Sequence, residues 1–183
     1  MKELSLNILD ITYNSIKAGA KKIEIDVSER ISTNLVEIEI TDNGCGMDEE
    51  FVRRVTDPFV TTRTTRKVGL GIPLFKQSAE DTDGTFAIQS KVGEGTRVYA
   101  SFRYDHLDRA PIGDMAGTMV SLIQANDSIR FIYRHVTDQG AFSFDTDELH
   151  EQLGDVPLSE PAVLSWIEEY INENLQNIQG GKI

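Results

Sequence analysis

The sequence predicts an α/β protein in which helices cover a sheet of half-buried strands, and three observations carry that prediction. Residues 3–18 repeat apolar side chains at helical spacing, residues 23–27 and 36–40 alternate apolar with charged or polar ones, and residues 85–102 read as two further strands joined by a glycine-containing turn. At 183 residues and 20.4 kDa the chain suits one compact domain or two small ones.

In the first helix Leu4, Ile8 and Ile11 lie on one side and Leu6, Leu9, Tyr13 and Ile16 on another, with Gly19 as the stop. Two strands follow, through Ile23, Ile25 and Val27 and then Val36, Ile38 and Ile40. The DNGCGM turn at 42–47 leads into a short helix over 48–55 and a Thr- and Arg-rich loop over 56–68 without apolar periodicity. A second long helix runs from Leu70 to about Glu80. TDG (82–84) turns into the strand TFAIQS, and KVGEGT (91–96) turns into RVYASF. From Asp105 the chain reads as a separate, small mixed α/β unit. It has a linker-like HLDRAPIGD, a helix carrying Met115, Met119, Leu122 and Ile123, strands at about 128–135 and 141–144, and a short helix from Asp147 to Gly154. A final helix has Ser159 as its N-cap, Pro161 in its first turn, and an apolar face of Val163, Ile167, Tyr170, Ile171, Leu175 and Ile178. The expected domains are therefore 1–104 and 105–183.

Charge supports that division. Residues 1–104 carry 14 basic and 16 acidic side chains, residues 105–183 carry 4 and 14, and the whole chain has a net charge of −12. Such an acidic surface argues against nucleic acid as a partner. The exception is 53–76, where Arg53, Arg54, Arg63, Arg66, Lys67 and Lys76 meet only Asp57. With one cysteine, Cys45, and three scattered histidines, neither an internal disulfide nor a zinc site is expected. The amino-terminal residues lack a small-residue cleavage site and no run of about 18 apolar residues occurs, so a soluble, cytoplasmic protein without membrane association is expected.

Asp10, Asn14 and Lys17 stand at i, i+4 and i+7, within roughly 60° of one another on the helix. A carboxylate, an amide oxygen and an ammonium on one stripe suit Mg²⁺ and a phosphate; the same spacing also describes an ordinary solvent face. Asp42 ends an alternating strand and is followed by Gly44 and Gly46, which combines a fixed acceptor with backbone able to approach a ligand, although Asp-Asn-Gly is equally a good turn. VGLG (68–71) opens a helix, where free N–H groups suit an anion, and GEGT (93–96) lies between strands. Neither a Walker A sequence nor G-x-G-x-x-G is present.

Taken in order, DITYNSIKAGA (10–20), DNGCGM (42–47), DPFVTT (57–62), VGLGIP (68–73) and GEGT (93–96) resemble the GHKL superfamily of gyrase, heat-shock chaperone ATPases, histidine kinases and MutL proteins. The resemblance covers about residues 1–104 and implies the Bergerat fold, a two-layer sandwich that holds ATP and Mg²⁺ beneath a lid. It implies that Asn14 ligates Mg²⁺, that Lys17 contacts phosphate, and that Asp42 accepts from the adenine amine with help from water and Thr96. It further implies that Gly44, Gly46 and Met47 pass the base and that Gly69, Leu70 and Gly71 cradle phosphates. Thr62, Arg66 and Lys67, with Arg63, fall in the lid, where a solvated loop is the plain alternative. Asp10 stands where hydrolysing members place a Glu as general base; being one methylene shorter, it implies slow turnover.

With 13 residues before Asn14 in this sequence and none of His106, His135 or His150 matching the phosphoacceptor motif, a complete sensor kinase is not expected. Three readings follow: an ATP-dependent regulatory switch with slow hydrolysis, a kinase acting on a separate partner as the stand-alone anti-sigma-factor serine kinases do, and an adaptor that binds ATP or ADP without turnover. The expected partners are ATP/ADP, an unidentified protein met through the acidic tail, and a second copy of the chain. Cys45 reads as a filler beside the base, with a redox-sensing thiol as the alternative. Trp166 and the apolar face of the last helix read as docked on the tail's own sheet, with a partner contact as the alternative, and Asp145 and Asp147 read as helix caps.

Overall fold

Residues 3–57, 59 and 70–179 are described by the structure, a computed structural model. Among them the elements run α1 (Leu4–Lys17), β1 (Lys22–Arg30), β2 (Leu35–Asp42), α2 (Glu49–Thr56), α3 (Gly71–Glu80), β3 (Phe86–Lys91) and β4 (Gly95–Arg103). They continue with α4 (Met115–Ala125), β5 (Arg130–Thr137), β6 (Gly140–Asp145), α5 (Thr146–Leu153) and α6 (Pro161–Ile178).

The alternation in the sequence becomes a sheet with one dry face. The strands form a six-stranded sheet in the order β3-β4-β2-β1-β5-β6. Ile25 lies opposite Ile40 on one side and Tyr133 on the other, and Ile40 lies opposite Val98, so one face carries a continuous apolar row. That face is buried beneath α1, α3, α4 and α6 and merges into a single core. The result is the two-layer α/β sandwich the sequence predicts.

The other face is a ladder of charges. Asp26 stands opposite Glu39 in the β1–β2 register, a like-charge pair that would cost stability if left alone. Arg134 of β5 reaches both Asp26 and Glu24, while Arg97 of β4 takes Glu39 at 2.6 Å, so Asp26 and Glu39 are paired with different cations. Tyr99 donates to Glu37 at 2.7 Å, and burial together with that carboxylate pushes its phenol up to about 12.

The division expected near residue 104 does not divide the sheet. β5 runs parallel to β1 along eight register pairs, from Lys22 with Arg130 to Glu29 with Thr137. Below them a buried chain of hydrogen bonds ties the two strands: the Tyr133 hydroxyl is 2.6 Å from His135 Nδ1, and His135 Nε2 is 2.8 Å from Glu29. Residues 105–183 thus contribute β5 and β6 to the same sheet. The physical reason is that the shift in charge at 104 describes surfaces, whereas β1 needed a partner at its second edge. At the last helix the cap position is Glu160, not Ser159, whose hydroxyl instead donates to Asp127 at 3.0 Å; Pro161 opens the helix as expected.

Candidate functional site

The helical stripe and the DNGCGM turn converge on a cavity of about 470 Å³ between α1, α2 and the ends of β2 and β4, a size ordinary for a small-molecule site. Ile11, Ile40, Val55, Ile72 and Val98 give it apolar walls, while Asn14, Ser15, Lys17, Asp42 and Thr96 supply polar groups.

Asp42 is held from two sides. Its Oδ2 accepts from the Ser15 hydroxyl at 2.6 Å and its Oδ1 from the Gly44 N–H at 2.9 Å. Each carboxylate oxygen keeps further acceptor capacity, so the group is oriented yet still able to take a ligand N–H. Thr96 stands opposite Asp42 in the β2–β4 register. Its hydroxyl is 2.7 Å from Ser90 Oγ, which donates to the Gly95 carbonyl and accepts from the Met47 N–H at 2.8 Å. Because Ser90 has one proton and gives it to Gly95, Thr96 donates to Ser90 and keeps lone pairs free for the cavity.

The turn itself is pinned at several points. Asn43 Oδ1 accepts from the N–H groups of Lys21 and Lys22, Cys45 N–H donates to Ala18, and Gly93 N–H donates to Cys45. Gly46 has φ +69°, and a Cβ there would sit 2.0 Å from the Lys91 carbonyl, so only glycine fits. At Gly44 a Cβ would come within 2.9 Å of the Ala18 methyl, which brings the turn against the end of α1. Met47 and Cys45 both line the cavity, and Cys45 is exposed there.

Asn14 and Lys17 face the same cavity, as the spacing predicts, but Asp10 does not line it. Asp10 is exposed, one turn nearer the start of α1 and beside Gly71, whose added Cβ would stand 3.2 Å from that of Asp10. Leu70 occupies the N-cap of α3 and offers no side-chain acceptor to the helix's first N–H groups. Thr62, Arg63, Arg66, Lys67 and Gly69 lie outside the described residues. No cluster of three His, Cys, Asp or Glu side chains that could hold a metal occurs among the described residues. The Asn14 side-chain oxygen at the cavity is a hard donor that fits an ion which keeps its waters and draws its remaining ligands from a phosphate, as Mg²⁺ does.

Sequence reasoning missed Ser15 and Ser90, which position Asp42 and Thr96. A hydroxyl on the buried flank of α1, next to Asn14, was the available signal for Ser15; Ser90 has none outside the strand register.

A two-layer sandwich with a carboxylate at the base of an apolar cavity and an amide-bearing helix along its side is the architecture of a nucleotide-binding domain. Residues 1–106 match the family described as histidine kinase-, DNA gyrase B- and HSP90-like ATPases, and the chain belongs to that family and carries its ATP-binding domain. Similar proteins include a sensor protein of Shewanella frigidimarina, 31% identical over 103 residues, which cover 56% of this chain and 15% of that one. Another is the non-motile and phage-resistance protein of Caulobacter vibrioides, 30% identical over 118 residues, covering 60% and 14%. The chain therefore spans about one seventh of the length of these relatives. Among solved structures, the Aquifex aeolicus MutL ATPase domain complexed with ADP superposes with a TM-score of 0.51 at 16% identity, over 84% of this chain and 68% of that one, a likeness of fold. No helix among the described residues is long and apolar enough to cross a membrane.

Proposed function

We propose that the chain binds Mg-ATP in this cavity, hydrolyses it slowly, and acts as a regulatory switch whose nucleotide state is read by a partner protein. The observation that carries the reading is Asp42, fixed by Ser15 and Gly44 at the base of an apolar cavity with Asn14 and Lys17 along one side. Asp42 accepts from the adenine amine, and Thr96 accepts from a water beside the base. Lys17 meets the phosphates as a point charge, and Asn14 offers its side-chain oxygen to Mg²⁺, which would neutralise phosphate charge when bound. Gly71 lets α3 begin against Asp10, with Leu70 at its N-cap and the helix's first N–H groups available to the phosphates.

Asp10 takes the proton of a water that attacks the γ-phosphorus, as the bond from that phosphorus to the bridging oxygen breaks and ADP leaves. Its exposure and short side chain make it a poorly enclosed base, which accounts for slow turnover. The test is a titration with Mg-ATP followed by product analysis for the wild type and Asp10→Asn. Binding is expected to survive the substitution and phosphate release to fall about 10²-fold or more. Unchanged hydrolysis would remove Asp10 from the mechanism, and failure of wild-type protein to bind Mg-ATP would remove the whole reading.

The same exposure of Asp10 favours a second reading, in which the activated group is a hydroxyl or imidazole of a partner and the protein is a kinase. The similarity to sensor histidine kinases such as CitA of Klebsiella pneumoniae, 31% identical over 93 residues, points the same way. Stable label on a partner after incubation with γ-labelled ATP supports it; free phosphate supports the switch; binding of ATP and ADP alike with neither product supports an adaptor.

A further inference from the structure

The end of the molecule opposite the cavity carries an aromatic pair that the nucleotide chemistry does not use. Trp166 of α6 is 47% exposed and lies stacked on Tyr170, with ring centres 5.0 Å apart and planes 11° from parallel. Tyr170 rests edge-on against Phe142 of β6 at 5.8 Å, so the stack is supported from the core while the indole stands in solvent. The expectation that Trp166 docks on its own unit is met only through Tyr170.

Carboxylates frame the indole. Glu169 and Glu173 follow Trp166 at i+3 and i+7, within roughly 60° of it on the helix, and both are exposed. Neither has an ion pair among the described residues. Among the described residues after 104 the three arginines are engaged elsewhere: Arg130 and Arg134 on the open face of the sheet by Asp145, Asp26 and Glu24, and Arg109 on Tyr104 and backbone carbonyls.

This chemistry selects its occupant. A guanidinium stacks on an exposed indole and pairs with carboxylates in the same contact. A purely apolar partner would leave Glu169 and Glu173 to be desolvated unpaired. An anionic lipid surface or a nucleic acid would be repelled, and a second copy meeting it through the same α6 face would set like carboxylates against one another. We propose that the α6 face around Trp166 docks an arginine-rich segment of a partner protein. The proposal gives a place and a chemistry to the partner contact of the reading above, but it does not rest on ATP chemistry and is tested without nucleotide.

Trp166 is the sole tryptophan of the sequence and reports directly on the contact. The full chain is titrated with a synthetic alanine-based helical peptide bearing four arginines spaced four residues apart, with a glutamate-bearing peptide of equal length as control, while Trp166 emission is followed. The arginine peptide is expected to change the emission saturably and the control to leave it unchanged. Glu169→Gln with Glu173→Gln is expected to weaken binding about tenfold. Glu148→Gln with Glu151→Gln, the same charge change on exposed positions of α5, is expected to leave it within about twofold. An unchanged Trp166 emission overturns the proposal. Equal weakening by the two double variants also overturns it, because binding is then diffuse attraction to an acidic surface.

Discussion

The β3-β4-β2 side of the sheet and the β5-β6 side are built on the same register yet spend their buried polar groups differently. Around the cavity, Ser15 bonds Asp42 and Ser90 bonds Thr96, and both Asp42 and Thr96 line the cavity with acceptor capacity to spare. On the β5 side, Tyr133, His135 and Glu29 close a hydrogen-bonded chain among themselves, and Phe131, Met119 and Ile167 are fully buried in the same core. The lesson is that partial satisfaction marks the side that binds, and full satisfaction marks the side that holds the fold. Substitutions on the first side should change affinity more than stability, and those on the second the reverse.

The largest effect is expected from Phe131→Ala, which empties a fully buried site between β1 and the helices. It should cost about 3–5 kcal/mol in urea unfolding, while ATP affinity of the fraction that stays folded remains within about twofold. Loss of affinity in that fraction would break the contrast. Asp42→Asn comes next. The amide has one acceptor oxygen and an NH2 donor in place of two acceptor oxygens, so calorimetry should show ATP binding weaker by about 10- to 100-fold, the equivalent of one charge-assisted hydrogen bond of about 1.5–3 kcal/mol. Thermal stability should move less than for Phe131→Ala.

The smallest effect concerns Asp145, whose carboxyl is held below its ordinary range first by the hydrogen bond from Arg130, against some desolvation, with help from the Asp147 N–H. A depressed carboxylate contributes stability that is present above its unfolded value, near 3.8, and is lost as pH falls through the lower folded value. Asp145→Asn preserves the cap on α5 and removes the ion pair, so it should cost about 1 kcal/mol at pH 7. The gap to wild type should shrink on acidification below pH 3.8. A gap that stays constant from pH 7 into that acid range would show that the pair is energetically silent.

Part of this was legible in the sequence, for reasons that differ by residue. Asn14, Lys17, Asp42 and Gly46 could be placed together at the cavity because helical spacing, strand alternation and a glycine turn are local properties, whereas Thr96 was reached only through the resemblance in motif order. The continuity of the sheet was not legible. Nothing in Ile23, Ile25 and Val27 says that a second partner strand comes from residues 130–137, and the fall in charge after residue 104 suggested the opposite. Asp10 illustrates a third case: its place on the stripe was right, but its position outside the cavity depends on how α3 begins at Gly71, a tertiary contact.

The parallel pairing of β1 with β5 also sets a schedule. β1 begins at Lys22 and its second partner only at Arg130, so at translation rates of roughly 5–20 residues per second β1 waits about 5–20 s with one edge bare. During that interval Lys22, Glu24, Asp26, Glu29 and Arg30 guard the strand as charged edge residues do in finished sheets. Several of the carboxylates that Arg134 and His135 later claim have thus already protected the nascent chain from pairing with its neighbours.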